Sequence, residues 1–343
     1  MTQATKIITT ALEGLNPRQK EVLTGRFGLD GAGEGETLAA IGDRLKVTRE
    51  RVRQIEASAA TMAKANIAKS PETMAVLEKI KKYIGGHGGV AKKEDVVAYA
   101  GTLAKGIREN HLDFLAEATG AFTLYREDED FAPFYYANEK DLKEAKAFVE
   151  GWVNHLRTRK EKVFSGSYEA QLTSFVKTKP VSAAIAQSYL GIAKHIRKNP
   201  YGDVGLRDWE EINPATVRDK IYLVLKKQGE PLHFEDIAKH INAVGFDNEV
   251  ALAPTVHNEL IKDDRFVLVG RGMYGLREQG YEPGTAREVI AKVLKASGPL
   301  KPDDVVAHVN EQRFFKPNTI LINLPNRSHF ERLPDGRYRV REA

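Results

Sequence analysis

From Leu15 to Met62 the apolar side chains recur three and four residues apart, with two interruptions that no helix can run through. Val22, Leu23 and Phe27 make one apolar face behind Asn16-Pro17, a good helix start because a proline in the first helical position gives up no hydrogen bond. The glycine-rich run GLDGAGEGE, residues 28–36, breaks the chain. Leu38, Ile41 and Leu45 define a short helix behind Thr37. After the turn Lys46-Val47, the series Val52, Ile55, Ala59 and Met62 defines a longer one behind Thr48, whose hydroxyl is placed to cap it. At 100° per residue Glu50, Arg53, Gln54, Ala57 and Thr61 fall on the opposite side, flanked by Arg49 and Arg51. Two such helices predict a helix-turn-helix, in which the N-terminal part of the second helix meets base edges. Arg, Gln and Glu are suitable readers of guanine, adenine and the cytosine amino group. The same charges also fit a solvated polar face, and spacing alone does not choose between the two.

Downstream the pattern repeats itself. Residues 214–242, PATVRDKIYLVLKKQGEPLHFEDIAKHIN, and 283–310, PGTAREVIAKVLKASGPLKPDDVVAHVN, keep Pro, Thr, Arg, Ile, Val-Leu-Lys, Gly and Pro-Leu in step. The two copies end alike at 265–277 and 329–341. In the first copy Ile221, Val224 and Leu225 form a helical stripe closed by Gly229, and Phe234, Ile237 and Ile241 a second one. Pro254, like Pro317 in the second copy, opens a third helix. Two β-rich runs around a glycine turn then predict a hairpin. Three helices and a hairpin make a winged helix. A fainter copy lies at 76–100, with β-prone runs at 121–136. Asp141 to Lys162 reads as one helix through Leu142, Ala145, Val149, Trp152 and Leu156, a seam expected to pack on its own chain. Residues 166–213 form a further compact helical unit closed by DWEEINP. The fold expected is mainly α: a helix-turn-helix head at 1–70, a degenerate winged helix at 71–137, a helical linker with a helix-turn-helix-like unit at 138–213, and winged helices at 214–282 and 283–343.

Composition narrows the chemistry. The 52 Lys and Arg exceed the 47 acids by five and the sequence pI is about 9.0, a modest lean toward a polyanionic partner. The absence of cysteine excludes disulfides, thiolate metal sites and cysteine nucleophiles. No apolar run approaches the ~18 residues a membrane span needs, and Met1 to Leu15 does not read as a signal peptide, so a cytoplasmic location is expected. Gly270 to Gly275 spells GxGxxG, but strand-like residues on both sides make it a hairpin turn, not a dinucleotide site. Arg271 there, with Arg337 and Arg339 in the last wing, are candidate phosphate contacts or solvated turn residues. His87, inside GGHGG, has no second ligand at helical spacing and reads as part of a flexible turn. His233, His257 and His308 read as packing or surface residues. Phe131, Phe134, Tyr135 and Tyr136 would either stack on unpaired bases or pack within a wing whose acidic turn, Glu127 to Asp130, would meet protein. No catalytic triad, paired-carboxylate motif or P-loop emerges, so neither catalysis, cofactor nor metal is expected.

LNPRQKEVLTGRFGLDG followed by ETLAAIGDRLKVTRERVRQIEASA resembles region 4 of the sigma-70 class of sigma factors, over about residues 10–68. VTRERVRQIEA at 47–57 matches the family signature almost letter for letter. The resemblance implies binding of the −35 promoter element on duplex DNA and docking on the β flap of RNA polymerase. It implies base contacts by Arg49, Glu50 and Gln54, phosphate or flanking contacts by Thr48, Arg51 and Arg53, and a flap-facing apolar surface near Leu15 to Phe27. Only about fourteen residues precede the motif, so promoter melting by this chain alone is not expected. PLHFEDIAKHI and the GRGMYGL hairpin resemble the HARE-type helix-turn-helix of the polymerase δ subunit and of restriction enzymes, over roughly 214–281 and more weakly over 283–341. Together these imply a transcription regulator or sigma-like accessory factor. A DNA-recognition subunit of a restriction or modification system and a polymerase-binding scaffold without base readout remain as alternatives.

Overall fold

The computed structural model describes residues 2–31, 35–160, 163, 168–281, 284–312, 315 and 317–341. The chain divides into two compact units, Met1–Ile196 and Arg197–Ala343. The first begins with four helices, α1 (Gln3–Ala11), α2 (Pro17–Phe27), α3 (Leu38–Leu45) and α4 (Arg49–Ala68). Each start predicted from the sequence is capped as expected: Asn16, Thr37 and Thr48 accept from the backbone N–H of Gln19, Ala40 and Arg51. Residues 32–34 of the glycine-rich break lie outside the described residues. Helix α1 is not legible as an element in the sequence, yet it buries Ala4, Ile7, Ile8 and Ala11.

Helix α4 departs from the predicted register. Its buried line is Val52, Ala59, Ala63 and Ile67, while Met62 is 38% exposed. The choice of face is made by the neighbours. Asn66 on α4 donates to the carbonyls of Ala11 and Glu13 at 3.2 and 2.6 Å, which turns the Ala63–Ile67 side inward and Met62 out.

A winged helix follows without a break in the core. It consists of α5 (Pro71–Gly86), β1 (Val90–Lys92), α6 (Lys93–Leu103), α7 (Glu109–Thr119), β2 (Thr123–Tyr125) and β3 (Phe134–Tyr136). Its antiparallel sheet has the order β1-β3-β2, with Tyr135 opposite both Ala91 and Leu124. The sequence pattern predicts every element here except β1 and α7. Helix α7 buries Leu112, Phe114 and Leu115 in one cluster with Leu15, Leu23, Ala59 and Ile67 of the head. Phe27 meets Phe114 edge-on, centroids 5.5 Å apart.

The next helix, α8 (Glu139–Arg157), carries the predicted seam inward, with Leu142, Ala145, Val149, Trp152 and Leu156 all buried on its own chain; residues 161–162, its predicted end, lie outside the described residues. It packs with α9 (Tyr168–Lys177) and α10 (Ala183–Gly191) through Trp152, Phe148, Phe175 and Tyr189. GGHGG is not a flexible turn. A Cβ on Gly88 would stand 2.5 Å from Ile185 Cγ2, and one on Gly89 would overlap the Asp141 carboxylate. Both residues have φ near +79°, so glycine is required on two counts. His87 is held by a 2.7 Å contact with the Tyr83 carbonyl. The hairpin of β4 (Ile196–Lys198) and β5 (Val204–Leu206) comes next in the chain.

The second unit holds the repeat. Its first copy is α11 (Val217–Gln228), β6 (Leu232–His233), α12 (Phe234–Val244), α13 (Ala253–Lys262), β7 (Phe266–Gly270) and β8 (Met273–Leu276), with sheet order β6-β8-β7. The second is α14 (Ala286–Ser297), α15 (Pro302–Gln312), α16 (Pro317–Asn323), β9 (Phe330–Arg332) and β10 (Tyr338–Val340). Leu300 bridges Tyr338 as the third strand. The repeated Thr is explained by capping boxes, Thr216 with Asp219 and Thr285 with Glu288. Pro254 lies in the first turn of α13 and Pro317 opens α16, whereas Pro283 lies outside the described residues. Each copy has its own core, one around Ile221, Val224, Ile237 and Leu260, the other around Ile290, Val293, Val305 and Ile320. GxGxxG is the β7–β8 turn, with Gly272 at φ +69°.

Because α7 shares its core with the head, Phe114→Ala is expected to cost the first unit about 3–5 kcal/mol. In urea denaturation, probes on α4 and on the β1-β3-β2 sheet should shift together. Separate transitions would show that the head folds on its own.

Candidate nucleic-acid interface

The helix-turn-helix is set by a close approach of backbone to backbone. Gly42 sits where a Cβ would be 2.8 Å from the Val47 carbonyl oxygen, and its own carbonyl accepts from the Val47 N–H at 2.9 Å. Lys46 takes the left-handed conformation, φ 54°, a strain on the order of 1–2 kcal/mol for a residue with a Cβ. The turn is held against a small core of Val22, Ile41 and Val52, with Leu38, Leu45, Val47 and Ile55 partly buried around it.

A polar frame locks the helices from outside. Arg44 pairs with Glu36 at 2.9 Å and with Glu21, and Arg18 donates to the Leu45 carbonyl at 3.1 Å. Arg26 pairs with the half-buried Glu56 at 3.2 Å and donates to the Glu36 carbonyl at 3.1 Å. Burial pushes the Glu56 carboxyl above its usual range, against the opposing pull of Arg26.

Above this frame Arg49, Glu50, Arg51, Arg53 and Gln54 are all exposed on the first turns of α4, with Ala57 and Thr61 continuing the line. The Arg53 guanidinium donates twice to Glu50, at 2.8 and 2.9 Å, and Arg51 donates to Gln54 Oε1 at 3.2 Å. The hydrogen bonds from Arg53 hold the Glu50 carboxyl below its ordinary range, so it stays an acceptor at neutral pH. Thr48 is spent on capping, through its 3.2 Å contact with the Arg51 N–H. Exposed ion pairs of this kind contribute little to stability, so these side chains are free to exchange one another for a ligand. Three arginines around one glutamate, at the positive end of a helix dipole, form an anion-attracting ridge.

The remaining candidates fall elsewhere. Arg271 is exposed on the β7–β8 turn. Arg337 and Arg339 pair with Asp335 and Glu331 of their own hairpin at 2.7 and 2.8 Å. The apolar surface expected near Leu15 to Phe27 is not presented to solvent. Leu15, Val22 and Leu23 are buried, and Phe27 is half-buried against Phe114, because α1, α4 and α7 already cover that side. Phe131, Phe134 and Tyr135 are likewise core residues, not stacking platforms. The acidic turn meets protein, but its own: Glu127 pairs with Lys194, and Asp130 with His195 at 2.9 Å. Among the described residues no group of three or more His, Cys, Asp and Glu is placed to hold a metal ion, and no helix is long and apolar enough to cross a membrane. Spacing does not reveal the roles of Gly42 and Lys46. Their only signal in the sequence is a glycine inside a short helical pattern, four residues before the turn.

Two family models match this chain. Residues 11–61 match sigma-70 region 4, and residues 215–279 match HARE-HTH, a restriction endonuclease HTH domain. The first match contains the whole of α2, α3 and the ridge. Over 52 residues the chain is 56% identical to the RNA polymerase sigma factor SigA4 of Synechococcus elongatus, covering 15% of this chain and 16% of that protein. It is 54% identical over 52 residues to RpoD of Helicobacter pylori, covering 15% and 8%. It is 51% identical over 57 residues to SigA of Clostridium acetobutylicum, covering 17% and 14%. The chain thus spans 8–16% of the length of these curated relatives. It contains a sigma-70 region 4 domain and a HARE-type helix-turn-helix domain.

Since Gly42 packs against the Val47 carbonyl, Gly42→Val is expected to force α3 from the turn and cost about 1–3 kcal/mol. The measurement is urea denaturation followed by a probe on α3. An unchanged midpoint would contradict the packing described.

Proposed function

We propose that this chain is a non-enzymatic, DNA-binding transcription regulator or sigma-like accessory factor, built on segments 1–70, 71–137, 138–213, 214–282 and 283–343. Its head recognises a −35-like promoter element by inserting the N-terminal turns of α4 into a major groove. Arg49, Glu50 and Gln54 are assigned to base edges, and Thr48, Arg51 and Arg53 to phosphates or flanking positions. One observation carries this reading: the polar residues of the region 4 signature, 47–57, stand exposed on one face of a helix whose other face is buried.

The geometry suits the role. Glu50 is ionised and accepts, as a cytosine amino group requires, and the Arg guanidinium fork fits guanine or phosphate. Arg53 gives up an exposed ion pair on binding, at little cost.

RNA polymerase is the second proposed partner, by likeness to relatives that are themselves RNA polymerase sigma factors. Leu15, Val22 and Leu23 already lie in the core, so a polymerase contact would use other residues of the head. The HARE-type domain is proposed to add contacts, with Arg271 on its wing.

The test is a binding assay on promoter fragments with and without a −35 element. The double variant Glu50→Ala, Gln54→Ala should lose about 1–3 kcal/mol of preference per base contact removed. Arg53→Ala should weaken all sequences alike and reduce the salt slope by about one. A sequence preference left intact in the double variant would refute the base-reading assignment.

A further inference from the structure

The formal charge of +5 is unevenly spread along the chain. Residues 151–196 hold seven Lys and Arg against two acids, a balance of +5, so the remainder of the chain is neutral in sum. The first winged helix, residues 71–137, holds eight Lys and Arg against eleven acids.

The basic stretch is folded as a helix-turn-helix. Helix α9, the link 178–182 and α10 follow in that order, and Ser182 caps α10 by accepting from the Ile185 N–H at 3.3 Å, as Thr48 caps α4. The inner side is fixed by aromatic packing. Trp152 meets Phe175 at 5.2 Å between centroids, Phe148 meets Tyr189 at 5.6 Å, and the Tyr189 hydroxyl donates to the Gly88 carbonyl at 3.0 Å. The cations are left outside: Lys177 ends α9, Lys179 lies in the link with its amino group 5.1 Å from the Phe175 ring centre, and Arg157 ends α8. All three are exposed. Among the described residues none of the three is paired with a carboxylate. In the first winged helix, by contrast, Lys93 is nearly buried between Glu109 and Asp113, at 2.6 and 2.8 Å. An exposed, uncompensated cation beside a helix-turn-helix link attracts phosphate without first having to displace a partner.

We propose that the α9–α10 helix-turn-helix is a second duplex-DNA surface, which grips phosphates through Lys177, Lys179 and Arg157 and does not read sequence. The absence of readout follows from α10 itself. Its exposed early positions are Ala183 and Ala184, which carry no donor or acceptor, and Gln187 is the single amide on that side. Phosphate contacts position a protein and add affinity, while base edges carry the sequence information. This surface is independent of the α4 reading and stands whether or not α4 reads bases.

The test uses the full chain and two duplexes, one random in sequence and one carrying a −35 element, with binding measured from about 50 to 200 mM salt. Lys177→Gln with Lys179→Gln should flatten the slope of log affinity against log salt by roughly 0.9 per cation removed, equally on both duplexes. The ratio of the two affinities should not change, and thermal unfolding should confirm an intact fold. An unchanged slope on both duplexes overturns the proposal. So does a loss confined to the promoter duplex, because the lysines would then be reading sequence. Glu50→Ala with Gln54→Ala serves as the contrast: it changes the ratio and leaves the slope contribution of Lys177 and Lys179 in place, which separates failure of one surface from failure of the other.

Discussion

Val22, Ile41 and Val52 meet in a contact small enough to name in full, and the orientation of the whole polar ridge depends on it. A helix with one fully buried side chain in its first turn cannot rotate about its axis, so Val52 inward forces Arg49, Arg53 and Gln54 outward. Gly42 lets α3 come close enough for that contact, and the hydrogen bond from Val47 to the Gly42 carbonyl fixes the angle. The ion pairs around it, Arg44 with Glu36 and Arg26 with Glu56, lie at the edge of the apolar contact and keep water from its sides.

The second constraint is the core shared with the first winged helix. Leu23 and Ala59 of the head lie in one cluster with Phe114, Leu115 and Tyr135. A head of four short helices has little surface to bury, and small domains are marginal for that reason. Helix α7 supplies the missing cover. The consequence is functional as well as energetic, because the side of the head opposite the ridge is occupied, and partners reach the head by its polar face.

The charges divide along the same lines. Acids collect on α7 and the adjacent wing, where Asp113 and Glu109 hold Lys93 and the 127–130 turn holds Lys194 and His195. Cations collect on the ridge and on the α9–α10 link. Acids that stabilise the interior therefore stand apart from the arginines of α4 and the lysines of α9 and its link, and the phosphate-facing surfaces keep their field.

Much of the architecture was legible in the sequence, because helix starts, glycine stops and apolar periodicity are local. The caps at Asn16, Thr37 and Thr48, the repeated winged helices at 214–282 and 283–343, the GxGxxG hairpin and the exposed ridge all come from that local grammar. What the tertiary structure alone decided was which face each element buries and what covers it. The sequence spacing allowed Met62 or Ala63 as the inner residue of α4, and only the approach of α1 made it Ala63. Likewise the apolar side chains from Leu15 to Phe27 read equally well as a docking surface or a core. The packing of α7 settled that, since burial there depends on residues far along the chain, which no local pattern encodes.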